Sequence, residues 1–149
     1  MHWILLRGLT REHAHWGSFP ARLGEAFPEH QFHTVDLPGT GVHFREHSPA
    51  TVAAIRESVC RQVSHIPGPF SILALSMGGM VALDWAQAEP GRVARLVLIN
   101  SSSGFSPPWR RMRPGAFGQA LATALRRNVE ERERGILQLT SNRPVSQAL

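Results

Sequence analysis

Residues Phe70 to Met80 read FSILALSMGGM, and the reading of the whole chain turns on them. Phe70 to Leu75 is a short, largely apolar run, bounded upstream by Pro67-Gly68-Pro69, which suits a strand buried on both faces. Ser76 follows at once, then Met77-Gly78-Gly79, and the run from Met80 to Glu89 has helical character. A serine at a sharp strand-to-helix junction is the arrangement of a nucleophile elbow. The turn strains the serine backbone, and the residues two positions to either side must be small so that strand and helix can pass closely. Those residues are Ala74 and Gly78, so the pattern is A-x-S-x-G, one methyl group away from G-x-S-x-G. A serine that merely caps the following helix is the competing reading.

Working outward, Trp3 to Leu6 forms a continuous apolar run expected inside a sheet, followed by the loop Arg7-Gly8-Leu9-Thr10. Ser18 is placed to cap a helix with Pro20 in its first turn, and Leu23, Ala26 and Phe27 fall on its buried side before Pro28. Gln31 to Asp36 reads as a second strand, broken by Leu37-Pro38-Gly39-Thr40-Gly41. Ser48-Pro49 has the form of a helix start, and Val52, Ile55, Val59 and Val63 then recur at helical spacing. After the elbow helix, Pro90-Gly91 turns the chain into a fourth strand, Ala94 to Ile99, followed by Asn100 and Ser101 to Ser103. Strands alternating with helices through short connections imply an α/β fold, a parallel sheet with helices on both faces. Gly8, Leu9, Pro38, Gly39, Ser76 and Ser101 then emerge at the carboxyl edge, where open sheets of this kind bind ligands.

Composition narrows the function classes. The chain has 149 residues, 42% hydrophobic and 18% charged, which suits a globular protein with one core. Its formal charge of +5 arises wholly beyond residue 103, where eight arginines face Glu130, Glu131 and Glu133. No nucleic-acid-binding motif accompanies that excess. One cysteine, Cys60, excludes an internal disulfide framework and suits a reducing, cytoplasmic setting, with the thiol read as a small hydrophobe in a helix. No segment has the run of apolar residues that a membrane span needs, and Trp3 to Leu6 is too short for a signal peptide. No ligand-spaced His/Cys cluster calls for a metal, and no organic cofactor is expected. Beyond Gly104 the character changes: Phe105-Ser106-Pro107-Pro108-Trp109 is a broken loop, and Pro114 to Arg127 and Asn128 to Leu139 read as two helices.

Four segments in this order, LLRGL (5–9), VDLPGTG (35–41), LALSMGGM (73–80) and RLVLINSS (95–102), resemble the N-terminal half of an α/β-hydrolase-fold protein of the esterase type. The similarity is to pimeloyl-carrier-protein methyl esterases and their relatives. It implies a hydrolase core over residues 1–103 and a helical cap or lid over 104–149, so that the fold is truncated after the elbow and the start of the cap. It implies Ser76 as nucleophile, with the backbone N–H groups of Leu9 and Met77 as oxyanion donors. Arg7 stands where the family usually has a histidine, and Gly8 is kept. Asp36 matches a structural turn. Phe105, Trp109 and Phe117 would cover the site and help select the acyl group. Arg110, Arg111 and Arg113 are read as a solvated basic stretch, with an acidic carrier group as the alternative.

The resemblance also locates what is absent: the acid and the base histidine follow later strands, roughly a hundred residues beyond Leu149. His13, His15, His43 and His47 lie in loops at the correct edge and are the candidates for a substitute base. Asp84, well into the elbow helix, is read as a surface carboxylate or a partner of Arg92 or Arg95. The expected activity is hydrolysis of a small-molecule carboxylic ester or thioester through an acyl-enzyme on Ser76. The alternatives are an inactive hydrolase-like fragment that binds another chain through an open sheet edge, and an acyltransferase.

Overall fold

The computed structural model describes residues 1–102, Gly118, 122–123, 125–126 and 128–140. The chain divides into two compact units, Met1–Ser103 and Gly104–Leu149.

In the first unit four strands, β1 (His2–Leu6), β2 (Gln31–Val35), β3 (Phe70–Leu75) and β4 (Val93–Ile99), form one sheet of order β2-β1-β3-β4. Every pairing is parallel, with Leu6 opposite Val35 and Ala74, and Leu75 opposite Ile99. The two strands expected to be interior from their apolar runs, β1 and β3, occupy the centre. Because side chains alternate across a strand, each central strand feeds two cores. Ile4, Leu6, Phe70, Ile72 and Ala74 face α2 (Val52–Gln62) and α3 (Met77–Ala88) in a cluster that includes Val59, Val81 and Trp85. Phe70 and Trp85 meet edge-on there, ring centres 5.0 Å apart. On the other face Leu5 and Leu73 pack with Trp16, and Leu23 of α1 (Phe19–Ala26) closes over them. Helices therefore cover both faces, and the carboxyl ends of β1 and β3 converge on the elbow.

Local departures from the sequence reading have local causes. α2 starts at Val52, not at Ser48-Pro49, because the Thr51 hydroxyl accepts the Ala54 N–H at 3.2 Å and so caps the helix. Ser18 does precede α1, yet its side chain makes no capping bond. Of the residues assigned to the buried side of α1, Leu23 is half-buried, whereas Ala26 and Phe27 are exposed, because the short helix ends against the sheet edge at β2. Asp84 pairs with Arg56 at 3.1 Å, without an aligned hydrogen bond from Nε, and Arg92 takes Glu89 at 3.7 Å instead. The α2 and α3 surfaces lie side by side, so the cross-helix partner displaces the local ones. Among the described residues β4 is an edge strand, opposite β2, and Val97, Leu98 and Ile99 are each about 40% exposed.

In the second unit α4 spans Val129–Thr140, and Asn128 Oδ1 accepts the Glu130 N–H at 2.9 Å as its cap. Gly135 lies against Thr123, where a methyl group would come within 2.6 Å of that side chain. The expected helix over 114–127 falls mostly outside the described residues. So do Phe105, Trp109, Phe117, Arg110, Arg111 and Arg113.

Candidate active site

Ser76 has φ 50° and ψ −118°, a conformation that non-glycine residues rarely adopt and that costs about 1–3 kcal/mol. The surroundings hold it there. Its N–H donates to the Ile99 carbonyl at 3.0 Å, extending the β3–β4 ladder by one residue. Its carbonyl accepts the Gly79 N–H at 3.0 Å, closing the first turn of α3, and the Ser101 hydroxyl at 3.1 Å. The chain thus leaves a buried strand, reverses at one residue and enters a helix. The serine side chain is left exposed at the carboxyl edge of the sheet.

Small residues make the reversal possible. A methyl group on Gly78 would stand 2.5 Å from the Arg7 carbonyl oxygen, so α3 crosses β1 with no space between them. One on Gly79 would collide with the Ser101 hydroxyl. Gly8 lies under the serine itself, its absent methyl 3.0 Å from Ser76 Cβ and 3.5 Å from Oγ. The backbone carrying Leu9 is therefore drawn against the elbow from the β1 side, while Met77 begins α3 on the other. Leu9 and Met77 line one cavity of about 410 Å³, together with Leu37, Pro38 and Phe44 on its apolar walls. Thr10, Arg11, Glu12 and His15 add polar groups to it. The positive end of the α3 dipole lies at this junction and favours negative charge.

Arg7, next to Gly8, is held by an aromatic stack. Its guanidinium lies over the buried Trp16 ring, 4.9 Å from the ring centre, and Trp16 in turn stacks on Phe19. Burial first, and then Arg11, lowers the Arg7 pKa.

Three of the four loop histidines are held by other partners. His13 Nδ1 meets Asp36 Oδ2 at 2.7 Å, and its N–H donates to Oδ1 at 2.5 Å. Asp36 is 4% exposed and also accepts the Val42 N–H at 3.1 Å. Gly41, with φ 51°, lets the chain wrap this carboxylate, since a methyl group there would strike it. Asp36 is thus the post of the 36–43 turn. His43 pairs with Glu46 at 2.5 Å, and His15 Nδ1 accepts the Glu12 N–H at 3.1 Å while its ring lines the cavity. His47 is exposed. Among the described residues no histidine is hydrogen-bonded to Ser76. The role of Ser101 was not legible from the sequence. Its only signal was a serine just past a strand that ends beside the elbow.

The alpha/beta hydrolase family model matches residues 3–147, and the chain belongs to that family. It is 32% identical to the pimeloyl-[acyl-carrier protein] methyl ester esterase of Salmonella heidelberg, over 87% of this chain and 50% of that protein. The chain thus spans about half the length of the curated relatives it matches. Among solved structures, a hydrolase from Pseudomonas aeruginosa superimposes with a TM-score of 0.64 at 22% identity, over 92% of this chain and 49% of that one. An extracellular alpha/beta-hydrolase from a Paenibacillus species gives 0.64 at 19% identity, over 83% and 50%. The RedJ thioesterase of Streptomyces coelicolor gives 0.58 at 21%, over 68% and 41%. At these identities the structures speak for the fold.

Proposed function

We propose that the chain carries the nucleophile half of a serine hydrolase acting on carboxylic esters or thioesters. The observation that carries this reading is the strained Ser76 backbone at the β3–α3 junction, held by Ile99 and Ser101 with Gly8 and Gly78 packed around it. Backbone strain of this kind clusters at functional sites. In the proposed reaction Ser76 Oγ attacks the carbonyl carbon and the alcohol or thiol leaves with the serine proton. Water then cleaves the acyl-enzyme to release the acid. The Leu9 and Met77 N–H groups receive the oxyanion, and one such donor is worth on the order of 10²–10³ in rate. The base and acid of the triad are supplied from outside the described residues. Residues 104–149 act as a cap over the acyl group, and the setting is cytoplasmic. The same acyl-enzyme would serve transfer to an acceptor other than water.

A second reading is favoured by the exposure of Val97, Leu98 and Ile99 on this edge strand. In it the chain is a hydrolase-like partner whose β4 edge pairs with another polypeptide and whose serine is idle. Fluorophosphonate labelling of the purified chain, mapped by peptide mass beside Ser76→Ala, separates the two. Label on Ser76 that disappears in the variant supports the nucleophile. A folded chain that takes no label leaves Ser76 idle in this chain, and protection of the β4 amides by another polypeptide, read by hydrogen exchange, then decides for the second reading.

A further inference from the structure

A second cluster lies at the other end of the sheet. His2 and His33 sit on β1 and β2, with His2 opposite Gln31 and Ile4 opposite His33. Both side chains therefore leave the same face of the sheet, two register positions apart on neighbouring strands. Their rings lie 5.3 Å apart, tilted by 33°, and His2 Nδ1 approaches His33 Nε2 to 3.1 Å. Both residues are partly exposed, so solvent and small ions reach them. The nearby His65 acts electrostatically on His33.

We propose that His2 and His33 form a chelating site for a borderline divalent transition-metal ion, of the class Zn²⁺, Ni²⁺ or Cu²⁺, bridging β1 and β2. Two imidazole nitrogens each about 2.0–2.1 Å from a tetrahedral ion stand roughly 3.3 Å apart. Binding breaks the hydrogen bond between the rings, moves its proton to the far nitrogen of the donor ring, and opens the pair by a few tenths of an ångström. Imidazole suits these ions, and either ring nitrogen can ligate. Strand positions hold the rings in place, so little freedom is lost on binding. Among the described residues no group of three His, Cys, Asp or Glu side chains is arranged to hold a metal, so water fills the remaining positions. Affinity should follow the general order, with Cu²⁺ above Ni²⁺ and Zn²⁺. Bound metal would tie the outer strand β2 to the centre of the sheet, and its effect on stability would grow with metal concentration.

The test is titration of the purified chain with Ni²⁺ and Zn²⁺, followed by calorimetry and by the imidazole nitrogen resonances, beside His33→Asn and His2→Gln. The expected result is one equivalent bound, with the His2 and His33 resonances shifting together. Each single variant should lose at least about tenfold in affinity, the lower end of what even outer-shell partners of metal ligands contribute. Melting temperature should rise with Ni²⁺ in the parent chain and not in His33→Asn. Two results overturn the proposal. One is no uptake, which leaves the pair as an ordinary hydrogen bond. The other is uptake unchanged by His33→Asn, which places the ion on the terminal amine with His2 or on the loop histidines.

Discussion

Replacing Gly78 by alanine tests whether close passage of α3 over β1 builds the elbow. The new methyl group would stand 2.5 Å from the Arg7 carbonyl oxygen, and 2.9 Å from both the Leu6 Cβ and the Leu6 carbonyl oxygen. Two of these three atoms are backbone of the central strand or of the residue after it, so no rotamer change relieves the clash. Either β1 or α3 must move by roughly an ångström, and overpacking of this kind costs about 1–3 kcal/mol. Alanine in a helix returns up to about 1 kcal/mol through propensity. With a 2.5 Å approach to backbone the cost lies at the upper end, so the net loss is about 2 kcal/mol, which lowers Tm by roughly 4–8 °C for a chain of this length. Gly24, inside α1, supplies the opposite sign, because nothing lies within 4 Å of its methyl position. Gly24→Ala should therefore gain about 0.5–1 kcal/mol. Thermal and urea unfolding followed by circular dichroism reads both. A Gly78→Ala chain as stable as its parent, or a Gly24→Ala chain less stable, would refute the reasoning.

Asp36→Ala should cost about 1–3 kcal/mol in urea unfolding, because it strips the acceptor from the His13 and Val42 N–H groups and from the His13 ring. Amide exchange at Val42 should accelerate in the same variant, and unchanged exchange would remove Asp36 from its place as the post of that turn. Cys60 should be a slow thiol. Burial, and then Glu89, pushes it from 9.0 up to about 11, so the thiolate fraction at neutral pH falls about a hundredfold. Iodoacetamide should modify it about a hundred times more slowly in the native chain than in 8 M urea, and equal rates would contradict the buried setting.

Elements whose evidence is local were legible in the sequence. β1 and β3 announce themselves as largely apolar runs because they are buried on both faces, and Ile55, Val59 and Val63 mark the α2 face by spacing alone. The elbow was legible because its geometry demands glycine and alanine at fixed offsets. The start of α2 was not, since Ser48-Pro49 and Thr51 are equally good local signals and only reach to the Ala54 amide decides between them. The Arg56–Asp84 pair, the His13–Asp36 pair and the Ser101 bond to the elbow join segments 23 to 28 residues apart. No periodicity encodes such meetings, because they follow from the packing of whole elements. The family resemblance covered residues at the site, yet it did not foretell that Arg7 would lie on Trp16.

The bonds that hold Ser76 also set an order of events during synthesis. The serine is strained by residues on either side of it, but it is restrained by Ile99 and Ser101, more than twenty positions later. A nascent chain released only as far as α3 can pair β1 with β2, and β3 with β1, yet it lacks the two bonds from Ile99 and Ser101 that complete the hold on the serine. At the usual pace of about 5–20 residues per second, one to several seconds separate the emergence of the serine from that of its restraints. Those two bonds to the elbow close only when β4 docks.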